Sequence, residues 1–135
     1  MRTGALVAVC AALVFTLVPG IGVLGAEAPA DRPATTIGFG FPTFGKLGYD
    51  DSGNVEKMTG FNLGLGYSAR YFTADDGMQP GRFNFYWGWG TVILLLPYVE
   101  FGWTYPFPLD DGKQYLNLTI GFLYIVPHIE LSICF

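Results

Sequence analysis

The feature that most constrains the fold is an alternation of side-chain type with a period of two residues. In the stretch GFNLGLGYSARY, the odd positions from Phe61 to Tyr71 are apolar or aromatic, and the even positions from Gly60 to Arg70 are glycine or polar. Successive side chains of a β-strand point to opposite faces, so this pattern predicts a strand with one apolar face and one small, polar face. An α-helix would scatter the glycines over all of its sides, at about 1 kcal/mol each relative to alanine.

The same alternation recurs in most of the chain after residue 34. The apolar face lies on odd positions from Phe83 to Tyr105, on even positions from Leu116 to Phe122, and again on odd positions near the end. These runs predict six strands, at 35–43, 58–72, 82–94, 97–106, 114–124 and 127–135. If the long runs split further, the number becomes eight. The sequence therefore predicts an all-β fold, an antiparallel up-and-down meander that forms a small β-barrel of six to eight strands.

Short hydrophilic segments separate several of these runs. Three of them hold a double aspartate close to a glycine, and such residues favour turns. None has the alternating oxygen-ligand spacing of a calcium loop, so the sequence predicts no metal site and no cofactor. Proline lacks the N–H that a sheet ladder needs, and Pro97 and Pro127 each open the same short pattern. We therefore expect a tight reversal of the chain at each of these prolines.

The first 26 residues have the layout of a secretory signal peptide. Arg2 precedes an uncharged apolar run, which ends in a Pro-Gly break and small residues. The alternative is a retained membrane anchor, although the run is shorter than the ~20 residues that span a bilayer. This layout predicts that the chain is exported and that residues 1–26 are removed. Cys10 would be removed with them, so Cys134 would have no partner for an intramolecular disulfide. The predicted organisation is a signal peptide at 1–26, a flexible leader at 27–34 and a β-barrel domain at 35–135.

Composition decides between the solvents that such a barrel can face. The chain is 51% hydrophobic and only 13% charged, and residues 27–135 carry more acidic than basic side chains. An acidic chain without a basic stripe is not expected to bind nucleic acid. If the aromatic face pointed inward, the outer surface would be rich in glycine and nearly uncharged, whereas soluble surfaces keep about a quarter of their residues charged. The opposite arrangement places glycines and small polar groups in a narrow lumen.

This second arrangement resembles the small bacterial outer-membrane β-barrel proteins, whose strands alternate apolar-out and polar-in. The resemblance covers residues 35–135. It implies that the bulky side chains face the lipid bilayer and that the protein lies in the bacterial outer membrane. It also implies that the last strand closes the barrel and carries a signal for the outer-membrane assembly machinery, formed here by Phe135, Ile133, Leu131 and Ile129. The chain is short for such a barrel, so several copies could also share one barrel as a homo-oligomer.

Three charged residues fall on the polar faces of their strands. Arg70, Glu100 and Glu130 would lie inside a narrow barrel, where a buried charge is tolerated only when it is paired. We therefore expect a polar network of these three residues in the lumen, acting as a structural plug rather than as a selectivity filter. His128, Glu130 and Ser132 share one strand face, but same-face neighbours lie about 6.5–7 Å apart, too far for a hydrolytic triad.

The leading hypothesis is a small outer-membrane β-barrel protein without enzymatic activity. Its role would be structural, or the passage or binding of small solutes. The alternative from another class is a soluble exported β-barrel that binds a lipid or another apolar ligand, with its aromatic face lining the cavity. A third hypothesis, a helical membrane protein built on 83–105, conflicts with the proline, the glutamate and the glycines in that segment.

Overall fold

The structure is a computed structural model that describes residues 28–135. Eight β-strands are connected in sequence order, with one turn of 3₁₀ helix at Asp110–Gly112. Within the described part of the chain, no helix has the length and apolarity needed to cross a membrane. The predicted signal peptide at 1–26 lies outside the described residues. The strands are β1 (Thr35–Phe39), β2 (Phe44–Tyr49), β3 (Val55–Asn62), β4 (Gly66–Phe72), β5 (Asn84–Val92), β6 (Leu96–Leu109), β7 (Gln114–Leu123) and β8 (Val126–Cys134).

The strands form a closed barrel in which every strand pairs antiparallel with its neighbours in sequence. The barrel closes where β1 pairs with β8, with Thr36 opposite Cys134 and Phe39 opposite Leu131. Closure gives every strand a paired neighbour on both sides within one chain, so the sheet has no edge strand. The predicted all-β antiparallel meander is therefore confirmed, with eight strands rather than six, and a single chain completes the barrel.

Two of the eight strands were not predicted as separate elements. The predicted strand at 58–72 divides into β3 and β4 around residues 63–65, and the strand predicted at 35–43 ends at Phe39, before an unpredicted β2. The first error has a simple cause. A three-residue turn preserves the parity of inward and outward positions, so the alternation passes through residues 63–65 without a break.

The predicted chain reversals at Pro97 and Pro127 are wrong by a few residues. The turns occupy residues 93–95 and 124–125, and each proline is the second residue of the strand that follows. Pairing of β6 with β7 begins at Glu100, and pairing of β8 with β1 begins at Leu131. Both prolines therefore lie in strand ends that have a neighbour on one side, where the missing N–H leaves no ladder bond unmade.

The seven connections divide the barrel into two unlike ends. We call one the turn end, formed by the connections at 40–43, 63–65, 93–95 and 124–125. The opposite end, which we call the acidic end, holds the connections at 50–54, 73–83 and 110–113, together with the start of β1 and the end of β8. All three double aspartates of the sequence are at the acidic end.

The interior near the acidic end is packed with apolar side chains. The residues of this cluster are buried and come from six of the strands and the β4–β5 connection: Leu47, Tyr49, Val55, Met58, Phe72, Met78, Tyr86, Tyr115 and Cys134. Residues 28–34, for which the sequence predicts a flexible leader, contact this cluster. Ala28 packs against it, Pro33 is buried, and the hydroxyl of Tyr49 donates a hydrogen bond to the carbonyl of Pro33. The segment therefore covers the interior at the acidic end.

Candidate functional site

Four charged or titratable side chains meet in the lumen, and we call them the lumen charge cluster. Arg70 comes from β4, Glu100 from β6, and His128 and Glu130 from β8. Nη2 of Arg70 lies 2.8 Å from Oε2 of Glu100 and 2.9 Å from Oε2 of Glu130, and all three residues are buried. The guanidinium thus bridges two carboxylates from strands on different sides of the barrel. The structure brings together the three residues for which the sequence predicts a polar network.

Further contacts hold the cluster in place. Cζ of Arg70 lies 4.1 Å from the ring centroid of Tyr86, and the backbone N–H of Phe41 donates a 3.1 Å hydrogen bond to Oε1 of Glu130. A cation over an aromatic face is attracted by the ring quadrupole, more strongly when both are withdrawn from water. The guanidinium and the carboxylates therefore have polar or aromatic partners, as buried charges require.

Glycines on the lumen face make room for the cluster. A Cβ atom at Gly121 would lie 2.5 Å from Oη of Tyr86 and 3.0 Å from Cε1 of His128. At Gly40, a Cβ atom would lie 2.4 Å from Cδ of Glu130. These distances are shorter than real Cβ contacts, so a side chain at either position would displace the charged groups. The small residues of the polar face therefore have a packing role in the lumen.

His128 is the fourth member of the cluster and lies beside both carboxylates. Its Nε2 lies 3.1 Å from Oε1 of Glu130 and 3.7 Å from Oε2 of Glu100. Both ring nitrogens are buried, and neither has a partner with hydrogen-bond geometry among residues 28–135. The imidazole is therefore the second group, after the guanidinium, that faces both carboxylates.

The same residues also have the chemical types of a metal site. A carboxylate oxygen of Glu100, a ring nitrogen of His128 and a carboxylate oxygen of Glu130 all lie within 4.8 Å of one another. Two carboxylates and an imidazole can hold a divalent transition metal. Here, however, the guanidinium of Arg70 already bonds both carboxylates, and an added ion would face its positive charge at close range. The arrangement fits an internal ion-pair network better than a metal centre.

Hydrogen-bonded side chains fill the lumen on both sides of the charge cluster. Toward the turn end, Nδ2 of Asn62 donates a 2.9 Å hydrogen bond to Oγ of Ser68, which is also bonded to the hydroxyl of Tyr98. Toward the acidic end, the hydroxyls of Thr104 and Thr119 are 2.8 Å apart. Together with the apolar cluster beyond them, these layers occupy the interior along the barrel. Such a filled lumen favours a plug over a channel.

The sequence analysis missed the aromatic part of the lumen. Tyr86, Tyr98 and Tyr115 are buried and point inward, although a lumen of small polar groups is expected from the alternation. The signal was present, because Tyr86 shares its strand face with Asn84 and Gly88. Tyrosine combines a large ring with a polar hydroxyl, so it can fill the lumen and still join a hydrogen-bond network.

The outer wall is apolar and aromatic on the β5–β8 side. The three tryptophans are each 44% exposed, and their neighbours across the strands are also aromatic or aliphatic. Rings pair across adjacent strands, with centroids 5.0 Å apart for Tyr71 and Trp87 and 5.7 Å apart for Phe85 and Trp103. The exposed residues of this wall include Phe85, Trp87, Trp89, Val99, Phe101, Trp103, Phe107, Ile120, Phe122, Ile129 and Leu131.

The four residues predicted as an assembly signal form what we call the β8 outer row. Ile129, Leu131 and Phe135 are exposed, and Ile133 is partly exposed. The backbone of Phe135 continues the pairing with β1, since its N–H donates a 2.9 Å hydrogen bond to the carbonyl of Thr35 and its carbonyl accepts from the N–H of Thr35. The row therefore lies on the outer wall, beside the seam where the barrel closes.

Comparison with known proteins identifies no similar protein. No family model matches the chain, and neither a curated protein nor a solved structure matches it. The fold and the lumen charge cluster therefore carry the functional argument.

Proposed function

We propose that the chain is a small membrane-embedded β-barrel protein of the bacterial outer membrane, with a structural, non-enzymatic role. One observation carries the proposal: the barrel has its charges inside and its large apolar side chains outside. Arg70, Glu100 and Glu130 are buried, while Trp87, Trp103 and their neighbours are exposed. An isolated water-soluble barrel would have the opposite polarity, and an exposed apolar surface this extensive marks an interaction site.

Strand lengths support a bilayer as the surrounding medium. A strand rises about 3.4 Å per residue, and strands in membrane barrels tilt by roughly 40°. The ten residues of β7 then give a height of about 26 Å, close to the apolar band of about 25 Å around such barrels. The fourteen residues of β6 give about 36 Å. The wall formed by the longer strands therefore matches the hydrocarbon thickness of a membrane.

The alternative, a soluble barrel that binds an apolar ligand inside, requires the aromatic face to line a cavity. The tryptophans and most of the phenylalanines in the strands lie instead on the outer wall. The interior holds the charge cluster and its hydrogen-bonded neighbours, which would have to be desolvated and displaced for an apolar ligand to enter. Passage of solutes is also disfavoured, because the same side chains occupy the path through the lumen.

Cell fractionation tests the proposed location. After expression in a bacterium with an outer membrane, the protein is expected in the outer-membrane fraction and in the pellet after a carbonate wash. Unheated and heated samples should migrate differently on a denaturing gel, because a closed barrel resists detergent until it is heated. Recovery of the folded protein in the soluble periplasmic fraction would contradict the proposal and favour the soluble alternative.

The assembly role proposed for the β8 outer row predicts a difference between folding in cells and folding in detergent. Phe135→Ser keeps the backbone pairing with Thr35 and removes one exposed ring. We expect most of the variant to fail to reach the heat-modifiable form in cells, while the purified variant refolds in detergent like the unsubstituted protein. Phe107→Ser removes a ring of similar exposure from β6 and is the control. An equal loss for both variants in cells would remove the special role of Phe135.

A further inference from the structure

The turn end of the barrel has an uncharged surface with exposed apolar side chains at the tips of its connections. Its four connections contain no charged residue, whereas each connection at the acidic end contains two or more. The side chains at the tips are strongly exposed, 84% for Leu95 and 90% for Ile125. Turns normally use glycine, proline, asparagine, aspartate and serine, because these residues suit both turn geometry and water. Exposed aliphatic residues on three of the four connections at this end indicate a contact with something other than water.

We infer that the turn end is embedded among lipid acyl chains, so that the barrel enters the membrane with this end and exposes the acidic end to water. This inference rests on the proposed membrane location and specifies how the barrel sits in the bilayer. The tips are continuous with the apolar outer wall, since Leu94 and Leu95 lead into β6 and Ile125 into β8. The wall and the turn end therefore form one apolar surface.

Several backbone N–H groups of the turn end have hydrogen-bond partners within the barrel. The N–H groups of Ile93 and Leu94 donate to the carbonyls of Gly64 and Leu65 in the adjacent connection, at 2.6 and 3.0 Å. The N–H of Tyr124 donates to the carbonyl of Val99 at 3.0 Å. A segment in hydrocarbon must satisfy its backbone polar groups internally, because lipid chains offer no hydrogen bonds. These bonds, two between neighbouring turns and one between a turn and β6, meet this requirement for the three N–H groups.

The backbone conformation of the turn end also supports its placement among lipid acyl chains. Leu65, Ile93, Leu94 and Tyr124 have φ values between 50° and 62°, in the left-handed region that favours glycine or asparagine. Large apolar side chains are strained there, and a β-branched residue such as Ile93 most of all. At the acidic end, the positive-φ positions include Asp110 as well as Gly53, Gly77 and Gly112, and aspartate and glycine adopt this region more readily than large apolar residues. The turn end thus keeps bulky apolar residues where glycine would fit the backbone with less strain, which is consistent with a need for apolar side chains at the tips.

The acidic end is suited to water by contrast. The backbone N–H of Asn54 donates a 2.8 Å hydrogen bond to the carboxylate of Asp50, and this bond, the largest of several causes, holds the pKa of Asp50 below its ordinary value. Asp76 forms an exposed ion pair with Arg82. Connections with several charged side chains resist entry into hydrocarbon. The two ends of the barrel prefer opposite media.

The inference is tested with a fluorophore on a single cysteine at each end. Ile125→Cys places the label at the turn end, and Ser52→Cys places the same label in the exposed β2–β3 connection as the matched control. Both variants also carry the native Cys134, which is buried, and the unsubstituted protein measures any labelling there. The labelled proteins are reconstituted in phosphatidylcholine–phosphatidylglycerol vesicles with or without bromine on the acyl chains, and folding is checked by heat-modifiability.

We expect brominated lipid to quench the label at residue 125 and aqueous iodide to leave it bright, with the opposite result at residue 52. Iodide quenching at residue 125 without quenching by brominated lipid would overturn the inference. So would crosslinking between two residue-125 cysteines at high lipid dilution, because a second copy would then cover the turn end. The fluorescence of the native tryptophans tests the membrane location separately from the placement of the turn end. If brominated lipid quenches the tryptophans, the membrane location is supported even when the label at residue 125 is exposed to water.

Discussion

Arg70→Met is expected to destabilise the barrel by about 3–5 kcal/mol, because it leaves two carboxylates buried without their cation. Arg70 bonds Glu100 and Glu130 at 2.8 and 2.9 Å, and both carboxylates are almost completely buried. Methionine replaces the aliphatic stem of arginine and lacks the guanidinium, so the loss is chiefly electrostatic. The free energy of unfolding is measured by denaturant titration of the protein in vesicles, followed by tryptophan fluorescence.

Two variants act as controls for the Arg70 experiment. Arg82→Met breaks an ion pair with Asp76 in which both side chains are about half exposed, and pairs of this kind contribute about 0–1 kcal/mol. The triple variant Arg70→Met, Glu100→Gln, Glu130→Gln removes all three charges and should recover much of the lost stability. If Arg70→Met costs no more than Arg82→Met, the cluster does not stabilise the barrel.

Ile120→Arg is expected to cost about 2–4 kcal/mol in a bilayer, the range for a basic side chain at the midplane of a membrane barrel. Ile120 is exposed on β7, opposite Trp103 on one side and Ile129 on the other. An arginine there would have to place its charge in hydrocarbon or extend its side chain toward the lipid headgroups. Because residue 120 lies within the strand, the distance to the headgroups is long. Equilibrium unfolding in vesicles measures the cost.

The control for Ile120→Arg is the same substitution where the side chain faces water. Ser52→Arg lies in the β2–β3 connection at the acidic end, and such a surface change is expected to alter stability by less than about 0.5 kcal/mol. If both variants insert and unfold like the unsubstituted protein, the outer wall does not face hydrocarbon. That result would contradict the proposed function while leaving the fold unchanged.

The lumen charge cluster and the apolar outer wall depend on each other. In a membrane, burial of apolar side chains within the protein gives little driving force, since lipid is also apolar. Packing and polar contacts inside the barrel then supply much of the specificity. The hydrogen bond between Ser68 and Tyr98 and the ion pair of Arg70 with Glu100 both connect β4 with β6, two strands that are not neighbours in the sheet. The polar interior would thus stabilise one arrangement of the strands.

Local sequence was sufficient to predict the two faces of each strand. Side-chain direction in a strand depends only on parity, so the positions of Arg70, Glu100 and Glu130 on the polar face followed from their immediate neighbours. The outward direction of Trp87 and Trp103 followed in the same way, once the low charge of the chain was considered. These predictions needed no knowledge of which strands pair.

Tertiary structure decided what depends on distant parts of the chain. The division of 58–72 into two strands was hidden because a three-residue turn leaves parity unchanged. Contact between Arg70 and Glu130, sixty positions apart, depends on closure of the barrel between β1 and β8 and on the stagger of every strand between them. Alternation determines which face a side chain occupies, whereas only the summed registers of eight strands determine which side chains meet at the same height in the lumen.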